Sequence, residues 1–118
     1  MTITPGNWNF RIYQGASWIY TIIYTTASGT PIDLTGYSAQ MMCRSDINAV
    51  VPFLDMSTTN DLITLGGSAG TITFSLTPAQ TAALFEGTGI YDLKLTNPSG
   101  EQDFLIQGAI AVQLMSTR

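Results

Sequence analysis

The stretch Thr71-Ile72-Thr73-Phe74-Ser75-Leu76 decides the fold class, because apolar and hydroxyl side chains alternate along it with a period of two. Successive side chains of a β-strand point to opposite faces of the sheet, so this pattern predicts a strand with one face in a core. The inward face would carry Ile72, Phe74 and Leu76. β-branched and aromatic residues also suit a pleated, half-buried surface.

The same period recurs on both sides of this stretch. Residues 37–43 and 91–95 alternate in the same way, and their expected inward residues are Tyr37, Ala39, Met41, Cys43, Tyr91, Leu93 and Leu95. With turn signals such as Asn97-Pro98-Ser99-Gly100 between them, the runs predict many short strands joined by hairpins. The expected strands lie near 8–13, 17–25, 37–44, 50–54, 61–65, 71–76, 89–96, 102–107 and 109–115. Such a series indicates a β-sandwich or a β-barrel.

One segment departs from the two-residue period and predicts a short helix near residues 78–85. Thr77 is suited to cap it, a proline occupies the first helical position, and Gln80 can complete a capping box. We expect this helix to close one end of the sandwich, with Leu84 and Phe85 filling the core there.

Charge is scarce in the chain. The 118 residues include 4 Lys+Arg, 8 Asp+Glu and no His, so charged residues make up 10%, against roughly 25% in an ordinary soluble domain. With so few charges, electrostatic repulsion between protein surfaces is weak. The composition therefore predicts that part of the surface is shared with neighbouring chains. The net charge of −4, with scattered cations (Arg11, Arg44, Lys94 and Arg118), argues against nucleic acid as a partner.

Length and hydropathy set further limits. No run approaches the roughly 18 apolar residues of a membrane helix, so no membrane partner is expected. A chain of 118 residues predicts a single β-sandwich domain over 1–118, large enough to fold without disulfides or metal.

The residues needed for common enzyme chemistry are missing from the sequence. Without His there is no usual triad base, and one Cys with no His cannot form a zinc site. Ser–Lys chemistry would need Lys94, whose outward strand position is better explained as an ordinary surface lysine. Paired carboxylates for glycoside hydrolysis stay open as a minor alternative. We therefore predict no enzyme activity, no catalytic residue, no metal and no cofactor, and a buried, unreactive Cys43.

The surface offers four candidate interface residues. If the aromatic side chains of strand 17–25 fill the core, Ile19 and Ile23 face outward among threonines, as expected of a strand that docks on a neighbouring subunit. Near the N-terminus, Trp8 and Tyr13 are aromatic residues able to stack on sugar rings, although core or interface packing is the interpretation we prefer.

Several motifs together carry a family resemblance. They are Gln14-Gly15-Ala16-Ser17-Trp18, Pro31-Ile32-Asp33-Leu34-Thr35-Gly36, Gly70-Thr71-Ile72-Thr73-Phe74-Ser75-Leu76-Thr77 and Gly89-Ile90-Tyr91-Asp92-Leu93. In this order, over nearly the whole chain, they resemble the small immunoglobulin-like β-sandwich structural proteins of tailed bacteriophages, found in tail, baseplate and neck components. The resemblance implies an all-β, immunoglobulin-like antiparallel β-sandwich with the one short helix near residues 78–85, and it brings no catalytic residues with it.

The expected function follows from this resemblance and from the low charge. We expect a structural virion protein of a tailed bacteriophage, made in the bacterial host cytoplasm and packed in symmetric copies in the tail, baseplate or neck. Its partners would be copies of itself and other virion proteins. The alternatives are a capsid decoration protein, or a carbohydrate- or receptor-binding module that contacts a host glycan or receptor.

Overall fold

Ten β-strands and one short α-helix make up the regular structure of the computed structural model, which describes residues 2–3 and 6–115. The strands are β1 (Thr2–Ile3), β2 (Gly6–Asn7), β3 (Phe10–Tyr13), β4 (Trp18–Tyr24), β5 (Ser38–Arg44), β6 (Leu54–Ser57), β7 (Ile63–Leu65), β8 (Thr71–Leu76), β9 (Gly87–Thr96) and β10 (Gln102–Gln113). The helix α1 spans Pro78–Ala82, and a 3-10 turn spans Gly67–Ala69.

The strands form two sheets that enclose one core. The first sheet has the order β1-β4-β8-β7, and the second has the order β2-β10-β9-β5-β6, with β3 also paired to β10. The N-terminal segment contributes to both sheets, and its strands β1, β2 and β3 pair in parallel, whereas all the other pairs are antiparallel. This is the predicted all-β, immunoglobulin-like sandwich.

An aromatic cluster occupies the centre of the core. The ring of Phe10 contacts those of Trp18, Tyr20, Phe74 and Tyr91, with centroids 5.4, 5.1, 5.8 and 5.1 Å away. Three of these contacts join the two sheets, because Phe10 and Tyr91 belong to the second sheet and the others to the first. Edge-to-face aromatic pairs stabilise the fold beyond what the burial of their apolar area contributes. The inward faces predicted for residues 71–76 and 91–95 are confirmed.

The short helix is confirmed, and so is its capping box. Gln80 N–H donates to the Thr77 hydroxyl at 3.2 Å, and Thr77 N–H donates to the Gln80 side chain at 2.8 Å. Leu84 is buried as predicted, but the prediction for Phe85 was wrong, since its side chain is 87% exposed. The helix ends at Ala82, and the residues that follow it carry Phe85 outward instead of into the core.

The strand predicted at 50–54 was displaced: β6 begins only at Leu54. Residues 45–53 form a loop, in which the Arg44 guanidinium donates to the carbonyls of Ala49 and Val50 at 2.9 and 3.0 Å. These bonds hold the loop back over the end of β5. Val50 is consequently 90% exposed, despite a side chain that favours strands.

Gly108 does not separate two strands, as the sequence had suggested, but lies inside the continuous strand β10. A Cβ atom at this position would lie 2.1 Å from the Trp8 carbonyl oxygen. The glycine therefore permits a close approach between the N-terminal segment and β10, where a break between two strands was predicted.

Within residues 2–3 and 6–115, no helix has the length and hydrophobicity needed to cross a bilayer. Arg118 lies outside the described residues.

Candidate functional site

On the outer face of the first sheet, the described side chains of β4, β7 and β8 include no charged residue. The sheet's outward residues on β4, β7 and β8 form what we call the threonine face: Ile19, Thr21, Ile23, Thr64, Thr71, Thr73 and Ser75. The alternating pattern of these strands, with inward neighbours in the core, places the seven residues on one side of the sheet. A face made only of aliphatic and hydroxyl side chains has little to keep a neighbouring protein away.

Cross-strand pairs organise the threonine face. Ile19 lies opposite Ser75, and Ile23 lies opposite Thr71. Between them, the hydroxyls of Thr21 and Thr73 are hydrogen-bonded at 3.1 Å. Ile19 is 67% exposed, whereas Ile23 is half-buried. The two isoleucines predicted as interface residues therefore lie on the same face, separated by a pair of threonines.

The other two predicted interface residues belong to the second sheet. Trp8, between β2 and β3, is half-buried and packs against the core. Its carbonyl accepts a hydrogen bond from the Tyr91 hydroxyl, and its N–H donates to the Gln107 carbonyl at 2.9 Å. Tyr13 is more exposed and ends β3. The structure thus does not bring Trp8 and Tyr13 together with Ile19 and Ile23, and Trp8 offers only part of its ring to a ligand.

The outer face of the second sheet differs, because it holds a groove with a volume of about 550 Å³. Its floor consists of side chains from the three adjacent strands β5, β9 and β10. Register places them in rows: Gln40, Lys94 and Phe104 in one, and Met42, Asp92 and Gln107 in the next. We refer to these six residues as the groove. At one end of it, Ile90 lies opposite Arg44 and extends the apolar surface.

A β-bulge directs Phe104 into the groove. Phe104 pairs with Lys94 and Ile106 pairs with Leu93, which leaves Leu105 as an extra residue in β10. Both Leu105 and Ile106 are buried, whereas Phe104 is 64% exposed. Bulges commonly re-aim side chains in this way. Strict alternation does not reveal the bulge, so the groove was missed in the sequence. The one sequence signal was the run of three apolar residues Phe104-Leu105-Ile106, which breaks the two-residue period.

Positive charge is concentrated on this second sheet. Arg11, Arg44 and Lys94, the three cations within the described part of the chain, all lie on its outer face. The Arg44 guanidinium is held by the two loop carbonyls and contacts the Met42 sulfur at 3.3 Å. Lys94 makes no hydrogen bond or ion pair with any described side chain and is, of the two cations that line the groove, the one that remains available to a ligand.

The shifted pKa values of two titratable groups outside the groove, Cys43 and Asp33, have structural causes. Burial, assisted by the nearby Asp92 and Asp55, raises the pKa of Cys43 to about 12, so the thiol stays protonated and is a poor nucleophile at neutral pH. Hydrogen bonds from the Thr35 hydroxyl and N–H lower the pKa of Asp33. Asp33 thereby fixes its turn. Among the residues described, no three His, Cys, Asp or Glu side chains come together as a metal site.

Comparison with known proteins gives a likeness in fold. No protein-family model matches the chain, and no curated protein matches it in sequence. Among solved structures, the N-terminal domain of phage TP901-1 ORF48 superposes with a TM-score of 0.58 at 12% identity, covering 95% of this chain and 96% of that one. A structure from a study of cell-adhesive interactions of VGSC beta subunits has a TM-score of 0.47 at 14% identity, covering 94% of this chain and 93% of that one. The chain therefore shares its fold with a phage protein.

Proposed function

We propose that this chain is a structural virion protein of a tailed bacteriophage, packed in symmetric copies in the tail, baseplate or neck. The observation that carries the proposal is the end-to-end match to the N-terminal domain of a phage protein, which covers 95% of this chain and 96% of that domain. Because nearly all of both chains superposes, the likeness extends to the whole sandwich. In this proposal the role is non-catalytic and consists of binding neighbouring chains through the protein surface.

The threonine face supplies the packing surface in this proposal. The cores of protein interfaces are depleted of charged residues, and this face has none on its described strands. Burying Ile19 against a neighbour would gain roughly 25 cal/mol per Å² of apolar area, before the costs of association. The partners are copies of this chain or other virion proteins, and repetition by symmetry lets one small protein cover a large assembly.

Mass spectrometry of purified virions, combined with negative-stain imaging, tests the assignment. We expect the protein in mature particles, in a fixed ratio to the other structural proteins. A chain that is abundant in the infected cell and absent from purified particles would refute the virion role. Particles washed in high salt and purified again by density serve as the control for adhering cell protein.

A further inference from the structure

We propose that the groove on the second sheet binds a neutral saccharide, with Phe104 as the stacking surface and Lys94 and Asp92 as the central hydrogen-bonding groups. This site lies on the opposite side of the sandwich from the threonine face. The proposal does not depend on the packing role, since either surface can function without the other.

The dimensions of the groove suit a small polyhydroxylated ligand. Its volume of about 550 Å³ falls within the roughly 300–1,000 Å³ typical of small-molecule sites. Three neighbouring strands span roughly 10 Å, and outward residues in one strand repeat about every 7 Å. Neighbouring outward side chains on these strands are therefore separated by a distance similar to the width of a sugar ring.

The chemistry of the groove combines an apolar surface with unoccupied polar groups. Phe104 offers an exposed ring, which can pack against the C–H face of a pyranose. Beside it, the side chains of Lys94, Asp92 and Gln107 make no hydrogen bond or ion pair with any described residue. An ammonium, a carboxylate and an amide provide both donors and acceptors, as a ring of hydroxyl groups requires.

The charge balance favours a neutral ligand. Lys94 and Asp92 alternate along β9 with Leu93 between them, so their opposite charges lie on the same face and offset each other. Arg44, the other cation that lines the groove, is already engaged by the carbonyls of Ala49 and Val50. The six groove residues therefore carry no net charge. The adjacent Arg44 stays positive, but its guanidinium already donates to two carbonyls and to the Met42 sulfur, so Lys94, offset by Asp92, is the groove cation left to attract a phosphate or a carboxylate.

A polypeptide fits the groove less well. The strands β5, β9 and β10 are each paired on both sides, so they offer no free main chain to an added strand. The centre of the groove holds a lysine and an aspartate, residue types that are depleted at the centre of protein interfaces. The threonine face, in contrast, has no charged residue on its described strands. The two faces thus suit two different classes of partner.

Glycan-array binding followed by NMR titration of the isotope-labelled protein tests the proposal. The titration probes are trisaccharides of glucose, galactose and N-acetylglucosamine, with trigalacturonate as the acidic comparison. We expect binding of a neutral glycan, with amide shifts concentrated at residues 90–94 and 104–108. Phe104→Ala should weaken binding at least tenfold. The control Phe85→Ala should not, because Phe85 is equally an exposed phenylalanine but lies outside the groove.

Four outcomes would overturn the proposal. They are a flat array, equal binding by Phe104→Ala and Phe85→Ala, a preference for trigalacturonate, and shifts confined to other residues. Groove signals that move only with another virion protein would instead make this face a protein interface. Because Phe104 is mostly solvent-exposed, its alanine variant should keep the thermal midpoint of the parent, and binding losses then report on the site. Asp92→Asn provides a second variant that retains the side-chain shape.

Discussion

The hydroxyl of Tyr91 donates a hydrogen bond to the main-chain carbonyl of Trp8, which lies 83 residues away in the sequence. That carbonyl lies between β2 and β3, where the parallel pairing of the N-terminal segment with β10 is interrupted. It is also the atom that Gly108 accommodates by lacking a side chain. One carbonyl thus links the N-terminal segment to β9 and β10 together.

Removal of this hydroxyl should destabilise the fold. In Tyr91→Phe the part-buried Trp8 carbonyl loses its partner, and leaving a polar group unsatisfied costs about 1–3 kcal/mol when it is fully buried, so we expect a loss toward the lower end of that range. The measurement is the free energy of unfolding in urea. Tyr13→Phe is the matched control, because Tyr13 is partly exposed and its hydroxyl contacts no described hydrogen-bond partner. Equal stabilities for the two variants would show that the bond contributes nothing.

Alkaline pH should weaken the fold through Tyr91 and Cys43. Burial raises the pKa of both groups from ordinary values of 10.0 and 9.0, and Tyr24 is raised in the same direction. An acid whose pKa is higher in the folded state contributes stability that is complete below its unfolded pKa and is lost as pH rises above it. The free energy of unfolding should therefore be flat from pH 7 to about 8.5 and decline above pH 9.

A double variant isolates the source of that decline. Tyr91→Phe combined with Cys43→Ala removes two of the three raised groups, so its stability should fall less steeply between pH 9 and 10.5 than that of the parent. The slope is the quantity to compare, since both substitutions also lower stability at pH 7. Parallel curves would mean that other groups cause the alkaline loss.

Phe74 provides a test of the inward face of β8. Its side chain is fully buried within the aromatic cluster. Phe74→Ala should lower the free energy of unfolding by roughly 3–5 kcal/mol, the usual cost of emptying a large core site. Phe85→Ala removes the same atoms from an exposed position and should change it by less than about 0.5 kcal/mol. Similar losses in the two variants would contradict the burial of Phe74 in the core.

The sequence predicted the sandwich well, because period-two alternation reports directly on two-sided burial. Residues 71–76 match β8 in full, and Thr77, Pro78 and Gln80 together predicted the capped helix. Failures arose where tertiary contacts override local preference. Arg44 holds residues 49–50 in a loop, and Gly108 serves a close approach.

The candidate sites were only partly predictable. The outward position of Ile19 followed from alternation along one strand, without knowledge of its neighbours. The groove could not be found in this way, since it requires the register of three strands and a bulge that turns Phe104 outward. Lys94 and Phe104 lie on the two arms of the predicted hairpin, but the pairing of β5 with β9 and the bulge at Leu105 are not encoded in any local pattern, so only the structure reveals the groove.

The threonine face should determine association. Ile19→Lys combined with Ile23→Lys places two charges on that face, where desolvating them against a neighbour is costly. Folding should survive, because Ile19 is exposed and Ile23 is half-buried at the surface. Sedimentation velocity should show loss of self-association, or of binding to a virion partner. Ser38→Lys, on the outer face of the other sheet, is the control. An unfolded double variant would place the isoleucines in the core.

A cryo-EM map of the intact particle tests the central claim most directly, because it shows both the position of the domain and what its faces contact. We predict repeated, symmetry-related copies of the sandwich in the tail, baseplate or neck, each with Ile19 and the surrounding threonines buried against a neighbouring chain. The same fold in copies attached only to the capsid surface would support a decoration protein instead. A map with no density for the domain, or with the threonine face open to solvent in every copy, would contradict the proposed packing role.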